Sequence, residues 1–226
     1  MQTWLKCAEI DYKSYTTLEE VLGNASVLSA LISDRNAVDY MMRSTTWADD
    51  VCADQNAMSY IGLNNYCANT LLNDEDWCAA ICDSEYFESV LNVKVPTMTS
   101  DTKPSGECIG ENYYSSNYDY YLAFDGSDSS FSAGNASEHY WIGYDFITTV
   151  AIKKIFFTSL DLLSYRVQYS NDKSTWNNAT SNITATGEDI IILPTFQNAK
   201  YWRLLPTETK GNCHFNSIQF YGRQDV

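Results

Sequence analysis

The sequence predicts an α+β protein with two parts, an N-terminal array of short α-helices followed by an antiparallel β-sandwich or jelly roll. Two observations lead to this fold class. A ten-residue repeat with helical spacing fills residues 13–92, and short strand-like segments recur between residues 141 and 222. The repeat stops where Pro, Thr, Ser and Gly become frequent, so we divide the chain into a helical module, residues 1–95, and a β-domain, residues 96–226.

The ten-residue repeat has three informative positions. Its second position always holds a residue type that favours helix N-caps: Ser14, Asn24, Asp34, Ser44, Asp54, Asn64, Asp74 and Ser84. Its ninth position is always apolar: Val21, Leu31, Met41, Val51, Ile61, Leu71, Ile81 and Leu91. The fifth position, which shares a helix face with the ninth, is apolar in seven of eight repeats. Because a helix of two turns is unstable alone, we expect eight short helices that bury this face against neighbouring repeats.

Four of the seven cysteines lie on or beside the predicted buried face of the repeats: Cys52, Cys67, Cys78 and Cys82. Cys78 and Cys82 have the i,i+4 spacing of metal ligands, but residues 1–95 contain no histidine to complete a zinc set. We therefore interpret these cysteines as buried, reduced thiols that act as small hydrophobic side chains.

The β-domain is predicted from short strand-like segments separated by turns. The segments are residues 141–146, 150–158, 165–170, 189–193, 200–205 and 215–222. Tyr165, Val167 and Tyr169 alternate with polar residues, as in a half-buried strand, and "SNDKSTW" after them is typical of a hairpin turn. Three tryptophans in the strand or hairpin motifs, Trp141, Trp176 and Trp202, are predicted to lie in the core.

The order of these motifs resembles a known domain family. "YYLAFDGSDSSF", "HYWIGYDF", "VAIKKIFF", "YRVQYSNDKSTWNNA", "KYWRLLP" and "FNSIQFYG" follow one another as in the discoidin-like domain, also called the coagulation-factor C-type or galactose-binding-like domain. The resemblance covers residues 96–224 approximately and implies an eight-stranded jelly roll without catalytic activity that binds glycans or other ligands through loops at one end. Helical repeats followed by such a domain resemble virion proteins of bacteriophages that infect gut bacteria.

The sequence departs from the family pattern in two places. Phe131 stands where members usually have tryptophan, and Ser217 or Gln219 stands where an acidic residue often completes a calcium site. Many members bridge their termini with a disulfide, which implies a Cys108–Cys213 bridge if the first and last strands pair. A cytosolic origin favours free thiols instead, because the start of the chain has no apolar segment typical of a secretory signal.

We find no motif for catalysis. The chain lacks a phosphate-binding loop, a dinucleotide-binding glycine motif, a Gly-X-Ser-X-Gly elbow and a His-Glu-X-X-His helix. Asp125 and Asp128 share one turn, where they cannot flank a glycosidic bond. Two interpretations of this turn stay open: a structural calcium site formed by Asp125, Asp128 and Ser130, or an Asp-Gly turn in which Asp125 caps its own backbone. Calcium is the single candidate cofactor.

Glycan binding requires exposed aromatic faces close to polar donors. The segment "ENYYSSNYDYY" places five tyrosines among Asn and Ser residues, and His139 lies in a polar loop before an aromatic pair. We predict these glycan contacts: Tyr113, Tyr114, Tyr118, Asn135, His139 and Tyr140. For His139 a spectator role stays open, and His214 is predicted to be structural.

The charge balance restricts the partners. The net charge is −15, and residues 1–95 alone hold 15 acidic and 5 basic residues, which argues against nucleic acids and anionic membranes as partners. We therefore expect a non-enzymatic virion protein, made in the host cytoplasm and exposed on the particle. Its partners are other virion proteins, further copies of itself, and host-surface or mucosal glycans. The alternatives are a structural decoration protein without glycan binding and a bacterial cell-surface adhesin.

Overall fold

The structure is a computed structural model that describes residues 1–127, 131–134, 140–195 and 197–224. It divides into two compact units, a helical unit built on Met1–Asn92 and a β-unit built on Val93–Leu193 and Gln197–Gln224. Helices followed by an antiparallel β-sandwich are the predicted fold class, which is confirmed. In the described part of the chain, every helix is too short or too polar to cross a membrane.

The helical unit consists of short helices, as the repeat predicts. The α-helices in its described residues are α1 (Gln2–Cys7), α2 (Leu18–Leu22), α3 (Ala25–Ser33), α4 (Arg35–Met42), α5 (Ala48–Cys52), α6 (Gln55–Leu63), α7 (Asn65–Leu72) and α8 (Glu75–Asp83). Single 3₁₀ turns cover Tyr12–Ser14, Thr45–Trp47 and Phe87–Ser89. The first helix, α1, lies before the repeat and was not predicted.

Five of the eight predicted N-caps are confirmed: Asn24, Asp34, Asp54, Asn64 and Asp74. In each of these the side-chain oxygen accepts a hydrogen bond from a backbone N–H in the first turn, for example Ala37 N–H to Asp34 Oδ1 at 2.8 Å.

The other three predicted caps are wrong. Thr17 caps α2 in place of Ser14, because Glu20 completes a capping box with it. Ser44 precedes a 3₁₀ turn and makes no side-chain cap. Ser84 ends α8: its Oγ donates to the Cys52 carbonyl and also accepts from the Tyr86 N–H at 3.0 Å, but the element that follows is the 3₁₀ turn Phe87–Ser89 and not an α-helix.

The ninth repeat position is buried in all eight repeats, which confirms the predicted inward face. Helices pack against their neighbours in sequence and, as extensively, against those three positions further along the array, as α1–α4, α3–α6, α4–α7 and α5–α8. Three repeats therefore make one turn of the stack, and each turn of helices packs on the turn before it.

Hydrogen bonds join successive turns of this stack at matching places. Asn64 Nδ2 donates to the Ile32 carbonyl at 3.0 Å, and Trp77 Nε1 donates to the Met42 carbonyl at 3.0 Å. Ser84 Oγ donates to the Cys52 carbonyl at 2.5 Å. Each bond satisfies a carbonyl near the end of a helix, where the helix itself supplies no partner. The stack is thus held by capping as well as by apolar packing.

The β-unit is one antiparallel network of eight strands among the described residues. The strands are β1 (Val93–Lys94), β2 (Glu107–Glu111), β3 (Ser132–Gly134), β4 (Trp141–Ser170), β5 (Asn177–Asn178), β6 (Ile183–Thr184), β7 (Glu188–Ile192) and β8 (Asn198–Arg223). Register shifts break the β4–β8 pairing repeatedly, so each of these two strands serves the sandwich as several shorter segments.

The segments form two layers. In the first layer, β2 pairs with residues 141–145, which pair with residues 201–204, which pair with residues 166–170. In the second, β7 pairs with residues 154–158, which pair with the end of β8. Trp202, Tyr144, Phe157, Phe215 and Phe220 are among the large side chains buried in one continuous core.

The cysteines are free thiols throughout, and the four in the repeats are buried as predicted. Cys108 lies on β2, whose partner is β4, whereas Cys213 pairs with Gly134 of β3. The two therefore lie on strands that are not neighbours, and no bridge joins them. Burial raises the pKa of both thiols, which keeps them protonated and unreactive.

Candidate functional site

Tyr113 and Tyr114 lie on the connection between β2 and β3, directly after Asn112, which has a positive φ of 62°. The connection is fixed to β3: Tyr113 forms a β-bridge with Gly134, and Tyr114 N–H donates to the Ala133 carbonyl at 2.8 Å. Their rings are 43% and 57% exposed, respectively. Large aromatic rings that are held rigidly and still exposed are typical of a binding surface.

The rings of this region contact one another in a row. Tyr114 and Tyr118 meet edge to face with centroids 5.9 Å apart, and Tyr118 stacks on Phe131 at 5.2 Å. Tyr113 is braced separately, edge to face against Tyr120 at 5.2 Å. We call Tyr113, Tyr114, Tyr118 and Phe131 the tyrosine face. Three of its members were predicted as glycan contacts; the structure brings the rings of Tyr114 and Tyr118 into contact, whereas the Tyr113 ring contacts Tyr120.

Phe131 and His214 were not predicted as parts of this surface. Their rings lie 4.8 Å apart, and His214 on β8 is half-buried beside the tyrosine face. The sequence signal for Phe131 was its place in the family motif, where tryptophan is usual. His214 follows a buried cysteine in a strand, and only the β3–β8 pairing shows that it points toward Phe131.

Tyr140, the fourth predicted tyrosine contact, lies inside the domain and is only 4% exposed. Its ring packs on Phe215, and its hydroxyl forms a 2.8 Å hydrogen bond with Ser132 Oγ. Burial raises its pKa well above the ordinary value. A Cβ on Gly134 would overlap the Tyr140 ring, so this strand needs glycine there. Tyr140 therefore supports β3 from below and offers no face to a ligand.

The remaining predicted contacts, Asn135 and His139, lie outside the described residues. The same holds for Asp128 and Ser130 of the predicted calcium site. Asp125 is described: its Oδ1 accepts a hydrogen bond from the Ser127 N–H at 2.9 Å, across Gly126 with a φ of +72°. This is the geometry of the capped Asp-Gly turn, the second of the two interpretations. The calcium site stays a prediction.

A second aromatic cluster lies on the outer face of the first layer. The Arg203 guanidinium lies 4.6 Å from the Trp141 ring centroid and 3.9 Å from that of Trp176. Trp141 and Trp176 are half-buried, so their prediction as core residues is wrong, whereas Trp202 is fully buried as predicted. The alternation of apolar and polar residues along a strand does not show that an arginine on a neighbouring strand covers the outward-facing ring of a tryptophan.

Polar side chains hold this cluster in place. Arg203 Nε donates to Gln168 Oε1 at 2.8 Å, and Gln168 Nε2 donates to Asn178 Oδ1 at 2.8 Å. Burial lowers the pKa of the Arg203 guanidinium to about 10, and nearby Glu111 opposes this shift. The Arg203 guanidinium stays charged at neutral pH and covers the faces of the two indole rings, so these faces are not open to a ligand. The tyrosine face is thus the better candidate for a ligand.

Comparison with known proteins gives a match for this unit. The model of the F5/8 type C domain family matches residues 98–220, more than half of the chain. No curated protein matches the chain.

Several solved structures are similar. Chitosan-binding module 1 from a chitosanase/glucanase of Paenibacillus sp. IK-5 is 22% identical with a TM-score of 0.47, over 52% of this chain and 95% of that chain. Chitosan-binding module 2 of the same enzyme, in complex with chitotriose, is 22% identical with a TM-score of 0.47, over 52% and 96%. The F5/8 type C domain of a Bacteroides fragilis protein is 16% identical with a TM-score of 0.46, over 53% and 93%.

Proposed function

The chain belongs to the F5/8 type C domain family, and from this premise we propose that its β-unit is a non-catalytic module that binds carbohydrate through the tyrosine face. One observation carries the proposal: Tyr113 and Tyr114 hold rigid, exposed rings at the edge of a row of aromatic contacts. The family resemblance implies ligand-binding loops at one end of the jelly roll, and Tyr113, Tyr114 and Tyr118 lie on the connection between β2 and β3.

The chemistry of the surface suits a neutral sugar. The C–H bonds of a pyranose pack on aromatic rings, and rings that are already immobile lose little conformational entropy on binding. Tyrosine adds a hydroxyl that donates or accepts a hydrogen bond, and Ser116 and Asn117 are exposed on the same connection. Burial raises the pKa of Tyr120, which braces Tyr113, to about 12, so this support remains neutral at physiological pH.

We further propose that the protein is a bacteriophage virion protein exposed on the particle. In this proposal the helical unit docks to the particle or forms the homo-oligomer, and the β-unit faces host-surface or mucosal glycans. The support is the resemblance of the whole arrangement to phage proteins and the acidity of the helical repeats, which suits a protein surface better than a nucleic acid. Calcium bound by Asp125, Asp128 and Ser130 remains part of the proposal.

A glycan array with the full chain tests carbohydrate binding. We expect binding to a restricted set of glycans, and the double variant Tyr113→Ala, Tyr114→Ala should weaken it at least about tenfold because both exposed rings are lost. Ile190→Ala is the matched control, since Ile190 is an exposed apolar side chain of the same unit on β7.

The array is run in calcium and in chelator to test the metal separately. Binding that the double variant retains in full would contradict the tyrosine face as the site. Silence of the folded, multimerised chain on every glycan would contradict carbohydrate binding and favour the decoration role.

A further inference from the structure

The stacking of the helical unit is interrupted at one place. Helices three positions apart pack as α3–α6, α4–α7 and α5–α8, but the corresponding space between α2 and α5 holds a cavity of about 530 Å³. Leu18, Glu19 and Leu22 of α2 line one side, and Asp50 of α5 with Ala53 and Asp54 lines the other. The volume falls within the range of about 300–1,000 Å³ that is usual for ligand pockets.

The lengths of the two helices account for this cavity. α2 and α5 have five residues each, whereas the helices from α3 to α8 otherwise have eight or nine. In α5 the 3₁₀ turn Thr45–Trp47 takes up the residues that would have begun the helix, whereas α2 begins only at Leu18, because Thr17 and not Ser14 caps it. The stack therefore lacks apolar surface at this point, and the leucines of α2 face the cavity without the neighbour that a full helix would supply.

The walls of the cavity carry negative charge. Glu19, Asp50 and Asp54 contribute carboxylates, and none of the residues that line the cavity is basic. Asp54 uses Oδ1 to cap α6 through the Ala57 N–H. Glu19 and Asp50 are exposed, and within the described ranges neither forms an ion pair. A partner that fills this cavity must therefore combine apolar side chains with positive charge.

We propose that the cavity between α2 and α5 is a docking site for a short helix of a partner protein that carries leucine-like side chains on one face and Lys or Arg beside them. The apolar side chains pack on Leu18, Leu22 and Ala53, and the cations pair with Glu19 and Asp50. The partner helix takes the place of the missing helical turns in the stack. The inference rests on the docking role proposed for the helical unit and is independent of carbohydrate binding.

The test is selection of binders to the full chain from a library of random peptides of about three helical turns. We expect the enriched peptides to combine leucine-like residues at i, i+3 or i+4 spacing with Lys or Arg. The double variant Glu19→Gln, Asp50→Asn should weaken their binding about tenfold, the loss expected for two partly exposed charge pairs. The matched control is Glu75→Gln, Asp76→Asn, which removes the same charges from the first turn of α8.

Each outcome separates the inference from the proposals on which it rests. Enriched peptides that bind the cavity variant and the control equally well would overturn this site and leave a docking role for the helical unit standing. Absence of any enriched peptide would overturn both. Concentration-dependent dimers in sedimentation velocity that only the cavity variant loses would overturn the partner helix in favour of a second copy. Glycan binding, measured on the same variants, should not change.

Discussion

The two units reach stability in different ways. In the helical unit, contacts connect elements about three repeats apart, and each connection resembles the next, as in the bonds from Asn64 to Ile32 and from Trp77 to Met42. In the β-unit, the first strand pairs with the last, and all strands surround one core. In a repeating stack, many similar contacts between repeats each contribute to stability, whereas a sandwich depends on a few residues at the centre of its core.

The largest effect should follow from a change at the centre of the β-unit. Trp202→Ala removes a fully buried indole whose Nε1–H is shared by the Val150 and Ala199 carbonyls at 3.2 Å each. We expect the free energy of unfolding of this unit to fall by about 4 kcal/mol, from lost packing and the cavity left behind. Hydrogen exchange should show that amides of both layers lose protection together while the helical unit keeps its own.

Trp202→Phe serves as the control, because it keeps one six-membered ring in the core and removes the hydrogen bonds with the smaller ring of the indole, at a lower cost of about 2 kcal/mol. Loss of protection confined to the strands next to residue 202 would contradict the single-core description of the β-unit.

A smaller and more local effect is expected in the helical unit. Trp77→Phe removes the hydrogen bond from Nε1 to the Met42 carbonyl and leaves that carbonyl buried without its partner. We expect a loss of about 2 kcal/mol in the free energy of unfolding, with faster amide exchange in α4 and α8 first.

Trp47→Phe is the comparison variant, since Trp47 is half-buried, its ring contacts Trp4 at 5.2 Å, and among the described residues no carbonyl accepts a hydrogen bond from its indole. A uniform loss of protection over all eight helices in Trp77→Phe would mean that the stack unfolds as one body, like the sandwich.

The smallest effect should appear at the surface of the β-unit and depend on pH. Asp172 accepts backbone hydrogen bonds from Ser174 and Thr175, which lower its pKa well below the ordinary value. A lowered pKa in the folded state stabilises the fold above the unfolded pKa of about 4, and this contribution is lost as the pH falls further. Asp172→Asn should therefore reduce the melting temperature slightly at pH 7 and leave it unchanged at strongly acidic pH.

Asp119→Asn is the comparison, because Asp119 makes no side-chain cap at the start of its 3₁₀ turn. Equal shifts of the melting temperature in the two variants at pH 7 would show that net charge, not the turn, produces the effect.

The contrast between the units also explains what the sequence could predict. The same pattern of cap residue and apolar residues occurs in eight successive repeats, so the inward face of the helices and the caps at Asp34, Asp54 and Asp74 were predicted correctly. The exceptions at Ser14, Ser44 and Ser84 all lie in or beside 3₁₀ turns, and Ser84 also bonds to the Cys52 carbonyl in another turn of the stack. Local propensity cannot anticipate a partner some thirty residues away.

In the β-unit, the alternation of apolar and polar residues predicted the strands, but it did not predict which face of each strand lies in the core and which faces outward. Trp141 and Trp202 have similar sequence surroundings, yet one lies on an outward face under Arg203 and the other in the core. The tyrosine-rich connection was recognised by composition. The burial of Tyr140 depends on Gly134, which approaches its ring only after β3 pairs with β8. Such placements result from strand pairing over long distances in sequence.

The stacking of the helical unit has a consequence for how the gene can change. Because α6, α7 and α8 each rest on the helix three positions earlier, deletion or duplication of a single repeat would give later helices a wrong neighbour. Loss or gain of three repeats together would restore each contact in its original phase. We therefore expect natural length variants of this array to differ by multiples of three repeats, so that the array lengthens or shortens by whole turns of the stack.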